Sequence, residues 1–255
     1  GVVFRSSDAD ALCADGEDVV VDDLYVYALD PEPLDLSCIV DITGNLEIEL
    51  SSSPIINLSR AAGVGGSVNI HDNYDTEEIW LDAVGSMGGS FNLNGNVDLD
   101  VLNLDVLEDI GGQLSMNSNS SLSVFSAPSL TLVEGSIQMN NNNGLEEAYF
   151  DVLEEIEGQL RVEWHNHFQV LSMPNLTELS GELYLYYNYK LDTVDLSSLT
   201  EIGSNLYVYN TYELETLSLP SLEKVNGSFT LYSANPMSML NLPELVEIRG
   251  SFSLS

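Results

Sequence analysis

Residues 158–180 read GQLRVEWHNHFQVLSMPNLTELS, and residues 181–203 read GELYLYYNYKLDTVDLSSLTEIG. Both stretches begin with glycine, and both place apolar residues at their third, fifth, fourteenth and sixteenth positions. The same 23-residue spacing extends along most of the chain. The glycines on this spacing are Gly66, Gly89, Gly112, Gly135, Gly158, Gly181, Gly227 and Gly250, and Ser204 fills the one gap. A repeat this regular is typical of a protein built from stacked units of one kind.

The spacing within each repeat predicts short β-strands. When the glycine is counted as position 1, apolar residues at positions 3 and 5, and again at 14 and 16, alternate with polar ones, which is the period of a strand with one buried face. No long stretch has helical periodicity, and proline recurs at position 17, as in Pro174 and Pro220. We therefore predict an all-β fold, a right-handed parallel β-solenoid of about nine coils that share one apolar core.

Position 8 of the repeat holds asparagine in most coils. The residues are Asn73, Asn96, Asn119, Asn142 and Asn188. Asparagine side chains bond to unpaired backbone groups in turns, and asparagine tolerates the left-handed backbone conformation. We interpret this column as a structural ladder at the turn that follows the first strand.

The two ends of the chain depart from the repeat. Residues 1–43 lie off the spacing and are expected to form an N-terminal cap, and residues 44–255 are expected to form the solenoid. The only cysteines, Cys13 and Cys38, lie in the cap, and we predict a disulfide bond between them rather than two free buried thiols. Because Ser255 falls inside a coil, we expect an open C-terminal edge that further sequence or another molecule covers.

Charge and composition restrict the partners of the chain. Six Lys and Arg against 41 Asp and Glu give a net charge of −35, which repels phosphate backbones, so no nucleic-acid partner is expected. No apolar run has the length of a membrane span, and no direct membrane insertion is expected in this segment. A disulfide is typical of oxidising compartments, so we predict an extracellular or cell-surface protein. The candidate N-glycosylation sites are Asn57, Asn119, Asn175 and Asn226.

Residue patterns for catalysis and for metal binding are weak. A carbohydrate-active enzyme would need paired carboxylates on outward positions, but Glu47 and Glu49 share a coil that lies roughly 24 Å from Glu163 at the usual strand spacing. His165 and His167 with Glu163 have the residue types of a zinc or copper site, yet the chain turns here, and we interpret them as exposed turn residues. The sequence therefore predicts no enzyme activity, no metal site and no cofactor.

Tyrosine is concentrated in one part of the repeat array. Five tyrosines at the outward positions 4 and 6 fall in adjacent coils, and an arginine and a tryptophan extend the patch by one coil. The residues are Arg161, Trp164, Tyr184, Tyr186, Tyr207, Tyr209 and Tyr232. Such a patch is either a structural cross-strand ladder or a recognition face for sugars or protein. The sequence alone supports both interpretations.

Two stretches resemble the receptor L domain, a relative of the leucine-rich repeat. Residues 37–48 read SCIVDITGNLEI, in which a cysteine precedes the pattern G-N-L-x-I, and residues 242–250 read LPELVEIRG. The resemblance covers roughly residues 36–255. It is to the L domains of insulin-receptor and epidermal-growth-factor-receptor ectodomains, and to related repeats in GPI-anchored fungal cell-wall organisation proteins. It implies a non-catalytic, secreted or surface-anchored solenoid that binds proteins or builds a cell coat.

Two functions follow as expectations from the repeat and the resemblance. The first is an extracellular structural glycoprotein whose solenoids self-associate, head to tail, into a filament or coat. The alternative is a receptor-like or adhesive module that binds an extracellular protein or glycan through the tyrosine face. A carbohydrate-active enzyme is a third and weaker reading, because no paired carboxylates support it.

Overall fold

The chain is a parallel β-solenoid in a computed structural model that describes residues 2–4, 6–232 and 237–254. Each coil contributes short strands to sheets on three sides, and strands of successive coils pair in parallel. The strands are numbered in chain order, and helix α1 is Ser6–Leu12. Residues 233–236 and Ser255, which the sequence assigned to the solenoid, lie outside the described residues.

Positions 3 to 6 of the repeat form the largest sheet, which has 12 strands. Its strands are β1 (Val2–Phe4), β3 (Leu24–Val26), β6 (Leu46–Glu49), β9 (Val68–His71), β12 (Phe91–Asn94), β15 (Leu114–Asn117), β18 (Ile137–Asn140), β21 (Leu160–His165), β24 (Leu183–Asn188), β27 (Leu206–Tyr209), β30 (Phe229–Tyr232) and β33 (Phe252–Leu254). We call this the main sheet.

The other two sides carry shorter strands. One side is an 11-stranded sheet of β2 (Val19–Val21), β5 (Ile39–Ile42), β8 (Gly63–Val64), β11 (Ser86–Met87), β14 (Asp109–Ile110), β17 (Leu132–Val133), β20 (Glu155–Ile156), β23 (Glu178–Leu179), β26 (Glu201–Ile202), β29 (Lys224–Val225) and β32 (Glu247–Ile248). The third side is divided into β4 (Leu34–Asp35), β7 (Ile55–Asn57), β10 (Glu78–Trp80) and β13 (Val101–Asn103); β16 (Val124–Ser126), β19 (Glu147–Tyr149), β22 (Val170–Ser172) and β25 (Thr193–Asp195); and β28 (Thr216–Ser218) with β31 (Met239–Asn241).

Apolar residues at the inward positions fill a single core that runs along the solenoid. In β12, Phe91 and Leu93 are fully buried, whereas Asn92 and Asn94 between them are half-buried on the outer side. This alternation recurs from coil to coil, and the buried residues form one cluster from Ala9 to Leu231. The predicted all-β parallel solenoid is confirmed, and its right hand stays a prediction.

The glycine spacing follows from the close approach of successive coils. A Cβ atom added at Gly181 would lie 2.5 Å from the carbonyl oxygen of Gly158, the equivalent residue in the coil before. Any side chain there would force the stacked backbones apart. The turn that enters the main sheet therefore requires glycine at this position in most coils.

The N-terminal segment belongs to the solenoid, contrary to the expectation of a separate cap at residues 1–43. Leu24 of β3 pairs with Leu46 of β6, and Val2 of β1 pairs with Leu24, so the sheets continue through this segment. Paired residues in these first coils are 22 residues apart in sequence, whereas the paired residues Val68 and Phe91 are 23 apart. The shorter coils fall off the 23-residue spacing, which is why the sequence pattern missed them.

A disulfide bond joins Cys13 and Cys38, as predicted, with the Cα atoms 5.5 Å apart. Cys13 directly follows α1, and Cys38 directly precedes β5, so the bond attaches the helical segment to the first coils. A closed loop of this length, with a sequence separation of 25, stabilises the fold by roughly 3 kcal/mol through the unfolded chain.

In eight coils, the residue at position 7, at or just after the end of the main-sheet strand, has a left-handed backbone conformation. The residues with positive φ at this position are Leu50, Asp72, Gly95, Ser118, Asn141, Trp164, Tyr187 and Asn210. The asparagines of position 8 are absent from this set, so their predicted role in supplying the left-handed conformation is wrong. The preceding residue makes the turn, and the side chains of Leu50 and Trp164 there are exposed.

The position 8 asparagines form a buried hydrogen-bonded column, which confirms the predicted structural ladder. The Nδ2 of Asn119 donates to the carbonyl oxygen of Leu93 (2.9 Å) and to Oδ1 of Asn142 (3.0 Å). Its Oδ1 accepts the backbone N–H of Asn96 (3.2 Å). Asn73, Asn96, Asn142 and Asn188 donate to a backbone carbonyl of the preceding coil in the same way. We call these residues, together with His165, the amide column.

His165 takes the place of asparagine in one coil of the amide column. Its side chain is fully buried, so its interpretation as an exposed turn residue is wrong, whereas His167 is exposed as expected. The Nδ1 of His165 lies 3.0 Å from Oδ1 of Asn188, and its Nε2 lies 3.4 Å from Nδ2 of Asn142. Burial lowers the pKa of His165 to about 4, although the hydrogen bond to Asn188 opposes this shift.

Candidate functional site

The outward face of the main sheet changes chemistry along the solenoid. Toward the N-terminus it carries Glu47, Glu49 and His71. The middle is rich in amides, and its residues are Asn69, Asn92, Asn94, Ser115, Asn117, Gln138 and Asn140. Toward the C-terminus follow Arg161, Glu163, Tyr184, Tyr186, Tyr207, Tyr209 and Tyr232. One face of the main sheet therefore presents three chemically different zones.

The structure brings together every residue of the predicted tyrosine face. Tyr184 pairs with Tyr207, and Tyr186 with Tyr209, in adjacent strands, with ring centroids 5.9 and 5.8 Å apart. The ring of Tyr232 lies 5.7 Å from that of Tyr209, and half of its side chain is exposed. We call these five tyrosines, with Trp164, Tyr187 and Arg161, the aromatic cluster.

Three tyrosines of this region were missing from the predicted face. Tyr187 lies at position 7, near the end of β24, and Tyr189 and Tyr212 lie at position 9, in the turn beyond the strand. Tyr187 contacts Tyr186 with a centroid distance of 4.4 Å, and Tyr189 stacks on Tyr212 at 5.7 Å. The 23-residue spacing could have revealed them if it had been applied to turn positions as well as to strand positions. Tyr189 and Tyr212, for example, are one repeat apart.

Trp164 is the second most exposed aromatic residue of the aromatic cluster, after Tyr232. Its ring lies 4.4 Å from that of Tyr187, and the two planes are 3° from parallel. Both residues have positive φ, 62° and 53°, a conformation that is rare for bulky side chains and costs roughly 1–2 kcal/mol. The fold thus holds two aromatic rings outward in a strained turn, and 43% of Trp164 is exposed.

A shallow depression of about 430 Å³ lies beside Trp164, on the side away from Tyr187. Amide and hydroxyl side chains form the rest of its lining: Asn117, Ser118, Asn140 and Asn141. The Nδ2 of Asn117 donates to Oδ1 of Asn94 (2.7 Å), which fixes this amide. Within the described residues the side chain of Asn140 makes no hydrogen bond, so its amide can serve a ligand.

The phenol groups of Tyr184 and Tyr186 are held in their neutral form. Burial raises the pKa of Tyr184, and the nearby carboxylate of Glu163 raises it further. Burial and the neighbouring Tyr187 raise the pKa of Tyr186. At physiological pH these hydroxyl groups therefore donate and accept hydrogen bonds without carrying charge.

Arg161 is partly neutralised within the aromatic cluster. Its guanidinium carbon lies 4.5 Å from the ring centroid of Tyr184, a cation–π contact. Its nitrogens also lie 3.3 Å from a carboxylate oxygen of Glu163 and 3.6 Å from one of Glu182. The aromatic cluster thus has little net charge in a strongly acidic protein.

Sequence reasoning missed a compact group at the N-terminal end of the outward face. The Nε2 of His71 lies 2.7 Å from Oε1 of Glu47 and 3.2 Å from Oε2 of Glu49. Burial alone would lower the pKa of His71, but hydrogen bonds to Glu47 and Asp72 and the charges of both glutamates outweigh it, so the pKa is raised. The repeat numbering could have revealed this group, because Glu49 and His71 both lie at position 6 and pair in adjacent strands.

The weakly indicated metal ligands near residue 165 do not come together. His165 points into the core with both ring nitrogens occupied, Glu163 faces outward toward Arg161, and His167 is exposed in the turn. A metal ion at these three side chains would require His165 to leave the amide column.

The four candidate glycosylation sites differ in accessibility. Asn119 is fully buried, and the nitrogen that would carry a glycan donates two hydrogen bonds in the amide column, so its prediction is wrong. Asn175 is exposed, and Asn57 and Asn226 are half-buried. Glycosylation at these three sites stays a prediction.

No family model, no curated protein and no solved structure matches the chain. The stacked 23-residue coils are compatible with a solenoid of the leucine-rich-repeat or L-domain kind.

Proposed function

We propose that the protein is a non-catalytic extracellular recognition module that binds a neutral glycan on the outward face of the main sheet. The observation that carries this proposal is the depression beside Trp164, where an exposed indole ring meets a row of amides. An aromatic ring packs against the apolar C–H face of a sugar ring, and amides bond to its hydroxyl groups. The site offers both kinds of contact side by side.

Charge and position also support a neutral glycan. A net charge of −35 repels anionic polysaccharides, and the raised pKa values of Tyr184 and Tyr186 keep these two phenols uncharged at physiological pH. From Asn94 to Tyr232, amides and then aromatic rings follow one another along adjacent strands, so an extended chain of sugars could lie across several coils.

An extracellular location agrees with the disulfide, because such bonds persist in oxidising compartments. In the described part of the chain, no helix has the length and apolar character that crossing a membrane requires.

We expect replacement of Trp164 with alanine to weaken glycan binding by about tenfold or more, or at least about 1.4 kcal/mol, because the stacking surface is lost. The measurement is calorimetric titration of the whole chain with short neutral oligosaccharides of glucose, mannose and N-acetylglucosamine. Trp164→Phe keeps an aromatic ring in the same turn and should retain most of the affinity.

Tyr74→Ala is the matched control for this experiment. Tyr74 is also an exposed aromatic residue, with 52% of its surface accessible, but it lies outside the aromatic cluster, so its loss should leave glycan binding unchanged. Equal affinity for Trp164→Ala and the original protein would contradict the proposal. Binding of an extracellular protein, but of no oligosaccharide, that depends on Trp164 would favour a protein ligand instead.

Self-association of solenoids is the second candidate function, and the exposed apolar side chains of β33 are its candidate contact surface. In β33, Phe252 and Leu254 occupy inward positions of the repeat, yet 52% and 57% of their surfaces are exposed. β33 pairs with β30 on one side only in the described residues. A second copy, or a following coil of the same polypeptide, would bury these side chains equally well.

Light scattering at rising protein concentration tests self-association. In salt that screens the acidic surface, we expect the mass to rise with concentration, and we expect the double variant Phe252→Lys, Leu254→Lys to remain monomeric. Val106→Lys is the control, because Val106 is exposed within the stack rather than at its edge. A mass that stays monomeric throughout would rule out this second candidate.

A further inference from the structure

A group of three metal-ligating side chains lies on the main sheet, far along the solenoid from the aromatic cluster. Glu47 and Glu49 extend from β6, and His71 extends from the adjacent strand β9. One potential ligand atom from each lies within 4.8 Å of the other two. No other group of three such side chains meets this criterion in the parts of the chain that are described.

Each of the three side chains is oriented by a partner outside the group. Oε2 of Glu47 accepts a hydrogen bond from Nδ2 of Asn69 (2.9 Å), which leaves Oε1 toward His71. Oε1 of Glu49 accepts the hydroxyl of Tyr27, which leaves Oε2 toward His71.

His71 is also oriented by a partner outside the group, Asp72. Its Nδ1 lies 3.2 Å from Oδ2 of Asp72, and its Nε2 faces the two free glutamate oxygens. A histidine that binds a metal through one nitrogen usually donates from the other to a carboxylate, which fixes the ring. Three convergent atoms, each fixed by a separate neighbour, are the arrangement of a preorganised ligand set.

We propose that Glu47, Glu49 and His71 bind a divalent transition-metal cation of the Zn²⁺ type. Zn²⁺ takes one imidazole nitrogen and two carboxylate oxygens at about 2.0–2.2 Å, and water completes four-coordination. Ca²⁺ and Mg²⁺ prefer six or more oxygen ligands, which three side chains including a histidine do not supply. The three side chains are between 22% and 30% exposed, so the ion can enter from solvent.

The chain supplies well-matched variants for a test. His71→Asn removes the nitrogen ligand but continues the column of outward amides that begins at Asn94 in the next coil, so the fold should tolerate it. Glu49→Gln keeps the shape of the side chain and removes its charge. His167→Asn removes an exposed histidine elsewhere and is the control.

The experiment is calorimetric titration of the whole protein with ZnCl₂ in excess NaCl and CaCl₂, which suppress diffuse binding to the acidic surface. We expect one saturable equivalent that raises the melting temperature. We expect Zn²⁺ affinity to fall by more than about 100-fold in His71→Asn, and by about tenfold in Tyr27→Phe, which removes only an orienting partner. His167→Asn should bind as the original protein does.

Three outcomes would overturn the proposal. They are the absence of saturable Zn²⁺ binding, equal binding by His71→Asn, and complete loss of binding in excess CaCl₂. The last would mean that Zn²⁺ was attracted by the net negative charge alone. Urea unfolding of each variant without metal shows whether a loss of binding reflects loss of the fold, and Glu49→Gln then serves as the second test of the ligand set.

Discussion

Replacement of Asn119 with alanine is expected to lower the free energy of unfolding by about 5 kcal/mol, because it removes a buried donor and acceptor at once. The backbone N–H of Asn96 loses its acceptor and the carbonyl oxygen of Leu93 loses its side-chain donor, whereas Oδ1 of Asn142 keeps the backbone N–H of residue 119. No water can reach these groups, since Asn119 and its neighbours in the amide column are fully buried. Each unpaired group costs about 1–3 kcal/mol.

Asn117→Ala is the matched control for Asn119→Ala. Asn117 lies two residues earlier, on the outward face of β15, and donates to Asn94 and Ser115. Water replaces these bonds when the side chain is removed, so the loss should stay near 1 kcal/mol. Urea unfolding of both variants provides the comparison. Equal destabilisation would show that the amide column contributes no more than an outward hydrogen bond.

Acidification from pH 6.5 to pH 4 is expected to cost the original protein about 3 kcal/mol of stability relative to His165→Asn. The buried imidazole of His165 is neutral, with a pKa of about 4, whereas the unfolded chain takes up a proton near pH 6.5. The unfolded state therefore binds more protons between these values, and stability falls as the pH falls. Below about pH 4 the folded protein is protonated too, and the difference levels off.

Burial is the main reason that protonation is unfavourable at His165, and the contact with Asn142 adds to it. Asn188 donates through Nδ2 to the carbonyl of Val162, so its Oδ1 faces His165 and accepts from Nδ1. Nε2 must then accept from Nδ2 of Asn142. A proton on Nε2 would face another N–H group inside the core. Asparagine at position 165 would restore the pattern of the other coils and remove the titrating group.

His167→Asn is the control for this pH dependence, because His167 is exposed two residues away. All three proteins share the other ionisable groups, so the effects of those groups cancel in the differences. The measurement is the urea midpoint as a function of pH. Parallel curves for the original protein and His165→Asn would contradict a buried neutral histidine at this position.

Much of the fold was predictable because a solenoid repeats one local pattern. Alternation of Phe91, Asn92 and Leu93 is enough to assign an inward and an outward face, and the repeat length sets which residues stack. The same reasoning failed at the N-terminus, where Leu24 and Leu46 are 22 residues apart and the glycine of the repeat is missing from the first coil. Pairing there depends on turns whose length the sequence pattern does not reveal.

The candidate sites were predictable only where one residue type recurs. Tyr184 and Tyr207 share a type and a position, so the aromatic cluster could be foreseen. His165 shares a position with asparagines but not a type, and it was assigned to the surface instead of the amide column. The error arose because His165 was interpreted together with its neighbours in the same coil. Comparison with position 8 of the other coils would have placed it among the buried asparagines.

The amino-acid sequence by itself determined the parallel solenoid, its apolar interior and the disulfide between the only two cysteines, since these follow from periodicity and composition. Only the tertiary structure decided which unlike side chains meet. Glu47 and His71 are brought within 2.7 Å, and Trp164 stacks on Tyr187, because stacking places residues from successive coils side by side. Such contacts depend on strand register and on side-chain rotamers, and the local alternation of apolar and polar residues determines neither.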